Sequence, residues 1–354
     1  MVDYSFSPPA AAGPVISWLL GEARSLPDGP ATLKELGLRL NEAGLQLARA
    51  SMHLRTLHPQ FFGVGFYWHR GQEDVGFFPA QHGIRDTALY QRSPLRFIFE
   101  QEVDELRQSL EVPAEALPLP RFAELQAEGM TDYLALPLRF GDGKIHGTTW
   151  STDQPGGFRD SDVALIKSIL PIFGLLIEIH LNRRIAVNIL NTYVGRQTGE
   201  RILSGQITRG SGETIPAAIW FSDLRGFTEL SEAKGRDELL AILNDYFDAI
   251  TGPIADCDGE ILKFIGDAVL AIFPLTDKNA CQRAFDAAIA AKGALLALNE
   301  RRTKQGEAGI AAGMALHVGE VMYGNIGSTE RLDFTVIGPA VNLASRIEGL
   351  CPEL

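Results

Sequence analysis

Cysteine is scarce in this chain. Only three occur in 354 residues, Cys257, Cys281 and Cys351, with neither the pairing of a disulfide framework nor the spacing of a zinc site. That scarcity points to a reducing, cytoplasmic setting. The seven histidines form no ligand pattern either. A basic surplus is also missing: 32 Lys and Arg stand against 44 Asp and Glu, a formal net charge of −12. Proteins that track nucleic-acid backbones need the opposite balance, so a nucleic-acid partner is excluded. A nucleotide substrate stays open, because a divalent cation supplies positive charge locally. Nor is there an uninterrupted apolar run of the ~20 residues a bilayer requires. The most apolar stretch, 164–181, contains Lys167, Pro171, Glu178 and His180, so no membrane span is expected. The start, Met1-Val-Asp-Tyr, lacks the basic residues of a signal peptide.

What is present suits a globular protein: 45% of residues are apolar and 21% charged, in a chain long enough for two domains. Residues 1–30, rich in Ala, Pro and Gly, read as a loose lead-in. Thr32-Leu-Lys-Glu35 has the form of a capping box opening a helix that Gly44 stops. Alternation of Ala48, Ala50, Met52 and Leu54 predicts a strand, 64–69 another, and 131–139 with 144–150 a hairpin around Gly141-Asp-Gly143. A helix follows from about Asp160 past Leu181. This order, over 31–181, resembles a GAF-type sensor domain. The resemblance implies a small diffusible ligand, and the absence of cysteine there argues against a covalently held chromophore. Residues 182–214 read as a helical signalling linker. Ile172, Leu176, Ile179, Leu181, Ile185 and Ile189 form a broken seam that either pairs with a second copy or packs on its own domain.

From Ile215 onward the expected elements are a strand to Ser222, a helix over 237–254, a hairpin 260–265/268–273, and a helix over 279–299. A strand over 309–317 and strands near Val321 and Phe334 follow. This βαββαβ order predicts a ferredoxin-like sheet over 215–354, making the chain α+β.

Three segments in that region carry chemistry: Phe221-Ser-Asp-Leu-Arg-Gly-Phe-Thr228, Leu262-Lys-Phe-Ile-Gly-Asp267 and Asp333-Phe-Thr-Val-Ile-Gly-Pro-Ala-Val-Asn-Leu-Ala-Ser-Arg346. Asp223, at a strand end, and Asp267, at a hairpin tip, supply hard oxygen donors suited to divalent ions. Taken singly each is an ordinary turn or cap residue. Lys263 alone reads as a solvated strand residue, and Asn342 with Arg346, four apart, as a surface helix pair.

In this order and spacing, the three segments resemble the class III nucleotidyl cyclases, which convert a nucleoside triphosphate to a 3',5'-cyclic nucleotide and pyrophosphate. The resemblance covers about 193–354. It implies that Asp223 and Asp267 bind two Mg²⁺ or Mn²⁺ ions per active site, that Asn342 orients the ribose, and that Arg346 meets the charge growing on the phosphate. Lys263 and Thr335 fall at its base-reading positions. An ammonium suits N1 of adenine and opposes the N1–H of guanine, and a threonine hydroxyl suits the adenine amino group. Adenylate cyclase, with ATP as substrate, is therefore expected, of the subgroup with Thr at the second position. The family's sites are shared between two chains, which implies a homodimer. Family catalytic domains continue for some tens of residues past the Asn/Arg helix, so the resemblance implies a domain incomplete at its C-terminus. An idle nucleotide-binding module and a guanylate cyclase are the alternatives.

Overall fold

In the computed structural model, residues 9–100, 103–276 and 278–351 are described. The chain divides into two units, the first ending at Ile189 and the second starting at Leu190.

The first unit contains α1 (Ala12–Leu20), α2 (Gly29–Glu42), β1 (Arg49–Arg55), β2 (Phe61–His69), β3 (Gly76–Gln81), α3 (Ala88–Gln91) and α4 (Pro94–Phe99). It continues through β4 (Leu106–Ser109), α5 (Pro120–Ala127), β5 (Asp132–Arg139), β6 (Ile145–Thr152) and most of α6 (Asp160–Val194), whose last residues belong to the second unit. Its strands form one sheet in the order β3-β2-β1-β6-β5-β4, every pair antiparallel. Alternation along β1 divides the two faces. Ala50, Met52 and Leu54 join Trp68, Leu136 and Trp150 in a core with residues of α1, α2 and α6. Arg49, Ser51 and His53 point to the opposite face, where α4 and α5 cover part of the sheet through Ile98, Phe122, Leu125 and Tyr133.

Several expectations need correction here. Among the described residues, 9–30 are not a loose lead-in: Val15, Trp18 and Leu19 of α1 are buried in the first-unit core. The cap of α2 is Asp28, whose Oδ1 accepts from Ala31 N at 2.9 Å, and not Thr32, whose hydroxyl donates to Asp28 O at 2.8 Å. Pro30 explains the earlier start, since proline fits a first helical turn that has no partner for its N–H. The expected domain edges at 181/182 and 214/215 fall inside α6 and inside a strand that begins at Gly212. The apolar seam is largely spent on the first unit's own core, for Leu176 and Leu181 are buried there and Ile172 and Ile185 pack against it. By length and composition α6 also passes for a membrane-crossing helix, contrary to the reading of 164–181, although 56% of its apolar window is buried.

The second unit contains α7 (Arg196–Leu203), β7 (Gly212–Leu224), α8 (Phe227–Ala233), α9 (Arg236–Asp256), β8 (Glu260–Ile265), β9 (Ala268–Pro274), α10 (Ala280–Lys304), β10 (Ala312–Gly327), β11 (Leu332–Ile337) and α11 (Pro339–Glu348). The sheet order is β11-β10-β7-β9-β8, all antiparallel, the expected ferredoxin-like core with one added edge strand. Helices α9 and α10 pack Tyr246, Ile250, Ala287 and Leu295 on one face, against Trp220 and Phe273. A second cluster, including Ile219, Leu270, Val321 and Phe334, lies on the other face, with Ala344 of α11. The strands expected at 309–317 and near Val321 are one strand, paired with β7 without interruption from Ala312↔Leu224 to Gly324↔Gly212. The sheet curls, so Tyr323 of β10 donates its hydroxyl to Glu260 of the edge strand β8 at 2.7 Å.

Candidate active site

Strands β7 and β9 are neighbours with Ser222 opposite Val269. Asp223, one residue past Ser222, and Asp267, two before Val269, therefore meet at adjacent strand ends. Gly266, with φ of +66°, makes the tight turn that delivers Asp267. The Asp267 carboxyl is pushed up to about 6, first by burial and then by its hydrogen bond with Asp223 and that neighbour's charge; the Asp267 and Leu224 amides pull the other way. Asp223 Oδ1 also accepts from Leu224 N at 3.1 Å. Neither carboxylate ion-pairs with a described Lys or Arg.

Two crowded hard-oxygen donors without a cation fit a divalent ion. Among the described residues no group of three His, Cys, Asp or Glu side chains stands ready for a metal. Further ligands would have to be water and substrate oxygens, the usual habit of Mg²⁺ beside one or two carboxylates.

Lys263 reaches its place through a β-bulge. Ile261 opposes Ala271, yet Lys263 opposes Leu270, so β8 carries one extra residue at Leu262. Ile261 and Ala271 belong to the helix-covered face, Leu262 and Leu270 to the opposite one. Without the bulge Lys263 would follow Ile261 onto the helix-covered face. The curl of the sheet then brings Lys263 Nζ within 2.5 Å of Asp333 Oδ2 on β11. Thr335, two residues along, shares a side of β11 with Asp333. It is only 4% exposed, and its Oγ1 is buried without a hydrogen-bond partner among the described residues. A buried hydroxyl without a partner costs about 1–3 kcal/mol, and the orphaned Oγ1 marks a place where a ligand's polar atom would be welcome.

Helix α11 buries Ala344 and Glu348 and leaves Asn342 and Arg346 exposed on one side. Neither exposed side chain bonds another described residue. Thus Asp223 and Asp267 are brought together, Lys263 is paired with Asp333 two residues from Thr335 on β11, and Asn342 and Arg346 share a helix face. No hydrogen bond or ion pair among the described residues joins the carboxylate pair to the other four.

Sequence reasoning missed Asp333, Arg225 and Glu348. Arg225 Nη2 donates to Glu348 Oε1 at 2.5 Å and to Glu348 O at 3.0 Å. Burial raises the Glu348 carboxyl, Arg225 lowers it, and the charge of Asp223 raises it again. Arg225 and Asp333 both lie inside the segments singled out, but nothing local signals partners so distant in sequence.

Residues 211–352 match the family model described as the adenylate and guanylate cyclase catalytic domain. This stretch is a class III cyclase domain. It is 43% identical over 145 residues to an adenylate cyclase of Anabaena cylindrica, an overlap of 40% of this chain and 28% of that protein. To adenylate cyclase 1 of Rhizobium meliloti (strain 1021) it is 35% identical over 132 residues, 37% of this chain and 20% of the relative. Among solved structures, the guanylyl cyclase Cya2 is 36% identical, with 39% of this chain and 71% of that chain covered and a TM-score of 0.37. The chain thus spans under a third of the length of both curated relatives. The family's description embraces both adenylate and guanylate cyclases.

Proposed function

We propose that the protein is an adenylate cyclase that converts ATP to 3',5'-cyclic AMP and pyrophosphate, as a cytoplasmic homodimer regulated by its first unit. The observation that carries this reading is the carboxylate pair, Asp223 and Asp267 brought together at adjacent strand ends with no ion pair to a described Lys or Arg.

Asp223 and Asp267 would hold two Mg²⁺ or Mn²⁺ ions, which would lower the pKa of the ribose 3'-hydroxyl and take up the charge of the departing pyrophosphate. Lys263 leaves Asp333 to donate to adenine N1, and the Thr335 hydroxyl pairs with the adenine amino group. Asn342 orients the ribose. Arg346, whose fork holds two oxygens and keeps its charge, stabilises the phosphate during transfer. One protomer supplies the aspartates and its partner the other four residues. The exposure of Asn342 and Arg346, without partners among the described residues, supports that division. The low cysteine count supports a reducing compartment.

The first unit is read as a GAF-like sensor, with the end of α6 as the segment that carries its signal on towards the catalytic domain. Its support is a six-stranded antiparallel sheet with helices packed on one face and a cavity of about 1120 Å³ on the other.

The test is product formation by the purified chain with Mn²⁺, offering ATP and GTP separately, with Asp223→Ala as the blank. Cyclic AMP above the blank, and little cyclic GMP, is expected. Cyclic GMP as the main product would transfer the assignment to guanylate cyclase, and no product from either would leave an idle nucleotide-binding module.

A further inference from the structure

The cavity in the first unit contains a charge that the protein itself does not answer. Arg49 lines it and is only 4% exposed, at the start of the central strand β1. A buried guanidinium normally comes with a carboxylate, because an unpaired buried charge is costly. Here Nη1 donates to Thr149 Oγ1 at 3.3 Å and the guanidinium lies 5.0 Å from the Tyr67 ring centre. Its Nε has no partner among the described residues. The two carboxylates on the wall, Glu124 and Glu128, are already engaged by Arg121, at 2.7 and 3.5 Å.

The register explains why these groups share the cavity. Arg49 opposes His69, and Ser51 opposes both Tyr67 and Thr149, so all five side chains project from one face of the sheet. Ser51 Oγ bonds Thr149 Oγ1 at 2.6 Å and His53 Nε2 at 2.9 Å, fixing the wall around the guanidinium. His53, half-buried on this wall and pushed down to about 3 by desolvation and by Arg49, adds no positive charge at neutral pH. Arg49 is the most deeply buried cation among the described lining residues; half-buried Arg55 lies over the Phe62 and Phe99 rings and donates to Phe99 O at 3.4 Å. The rest of the wall includes Phe62, Leu95, Phe99 and Tyr133, and the volume suits a drug-sized molecule.

We propose that this cavity binds a small organic monoanion, a carboxylate carried on a flat apolar body, with the Arg49 guanidinium gripping the carboxylate. The planar fork of Arg matches two carboxylate oxygens, and a single buried positive charge matches one negative charge better than a phosphomonoester's two. The inference concerns the first unit and stands apart from the cyclase reading, because its readout is binding and not turnover.

The experiment is calorimetric titration and thermal unfolding of the full chain with benzoate, phenylacetate and indole-3-acetate, each beside its uncharged amide, and with phenyl phosphate. At least one acid is expected to bind saturably and to exceed its amide by about tenfold or more. Arg49→Met, with its fold checked by circular dichroism, is expected to lose that advantage. The acid–amide comparison on the unmodified chain stands even where the variant does not fold. Equal affinity of acid and amide, no binding of any acid up to about 10 mM, an undiminished acid preference in folded Arg49→Met, or tighter binding of phenyl phosphate would each overturn the assignment.

Discussion

Arg225 and Glu348 are 123 positions apart in sequence and 2.5 Å apart in the fold. Their contact ties the end of β7, which carries Asp223, to the last turn of α11, which carries Arg346. Gly313, opposite Asp223 on β10, leaves the room: a Cβ there would lie 1.9 Å from Arg225 Nη2 and 2.1 Å from Glu348 Oε1.

Arg225→Met therefore leaves a buried carboxylate uncompensated and is expected to destabilise the second unit by about 1–3 kcal/mol. That is below the usual figure for a fully buried pair because the Arg225 side chain is 30% exposed. Adding Glu348→Gln should recover part of the loss, and Gly313→Ala should mimic it. Urea unfolding of the single and double variants measures the coupling, and strictly additive effects would deny it.

The carboxylate pair sets function against stability. Asp267→Asn removes a like-charge contact and should raise the unfolding midpoint of the metal-free chain, while lowering turnover with Mn²⁺ and ATP by about 100-fold or more. Differential scanning fluorimetry and a product assay on one preparation decide it. A lowered midpoint would contradict the repulsion inferred from the raised Asp267 carboxyl.

Thr335→Val replaces the unpartnered Oγ1 by a methyl group. Stability is expected to rise by up to about 1 kcal/mol, because nothing is left unpaired. Preference for ATP over GTP should fall, and Lys263→Glu should reduce it further by opposing adenine N1. Competitive turnover with both nucleotides reads the preference. An unaltered ratio in both variants would remove these residues from base reading.

Acid should weaken the first unit. Burial is the leading cause that pushes His53 down to about 3 and His146 down to about 4 from 6.5. His146 Nδ1 accepts from Arg55 N at 3.0 Å, a bond that protonation there would abolish. With folded values below unfolded ones, the stabilising contribution is complete above pH 6.5 and is lost as pH falls towards 4 and then 3. Chemical unfolding between pH 7 and 4 should show the decline, and His146→Gln should make it shallower. A flat profile would refute the burial of neutral imidazoles.

Part of this structure was legible from residues alone. The β8–β9 hairpin falls almost where alternation and Gly266-Asp267 place it, with Asp223 at a strand end and Asp267 at the hairpin turn as the pattern predicts. Helix α1 was not, because an Ala-, Pro- and Gly-rich composition hides the spacing of Val15, Trp18 and Leu19. The strands β3 and β4 escaped because they are sheet edges. Four of the six β3 residues are exposed and β4 has only four residues, so neither carries the burial contrast that alternation needs. Asp333 escaped as a partner of Lys263 because 70 positions separate them and only the curl of the sheet joins the two edges.

The extra residue at Leu262 has a consequence for how this domain tolerates change. A substitution at 263 keeps the new side chain on the face that Lys263 occupies, the place proposed to read the base. Deletion of residue 262 would instead swing that side chain into the layer under α9 and α10, where a charged group has no place. Under the proposed role of Lys263, point substitution at 263 would alter specificity, whereas shortening β8 by a single residue would erase the reading position itself.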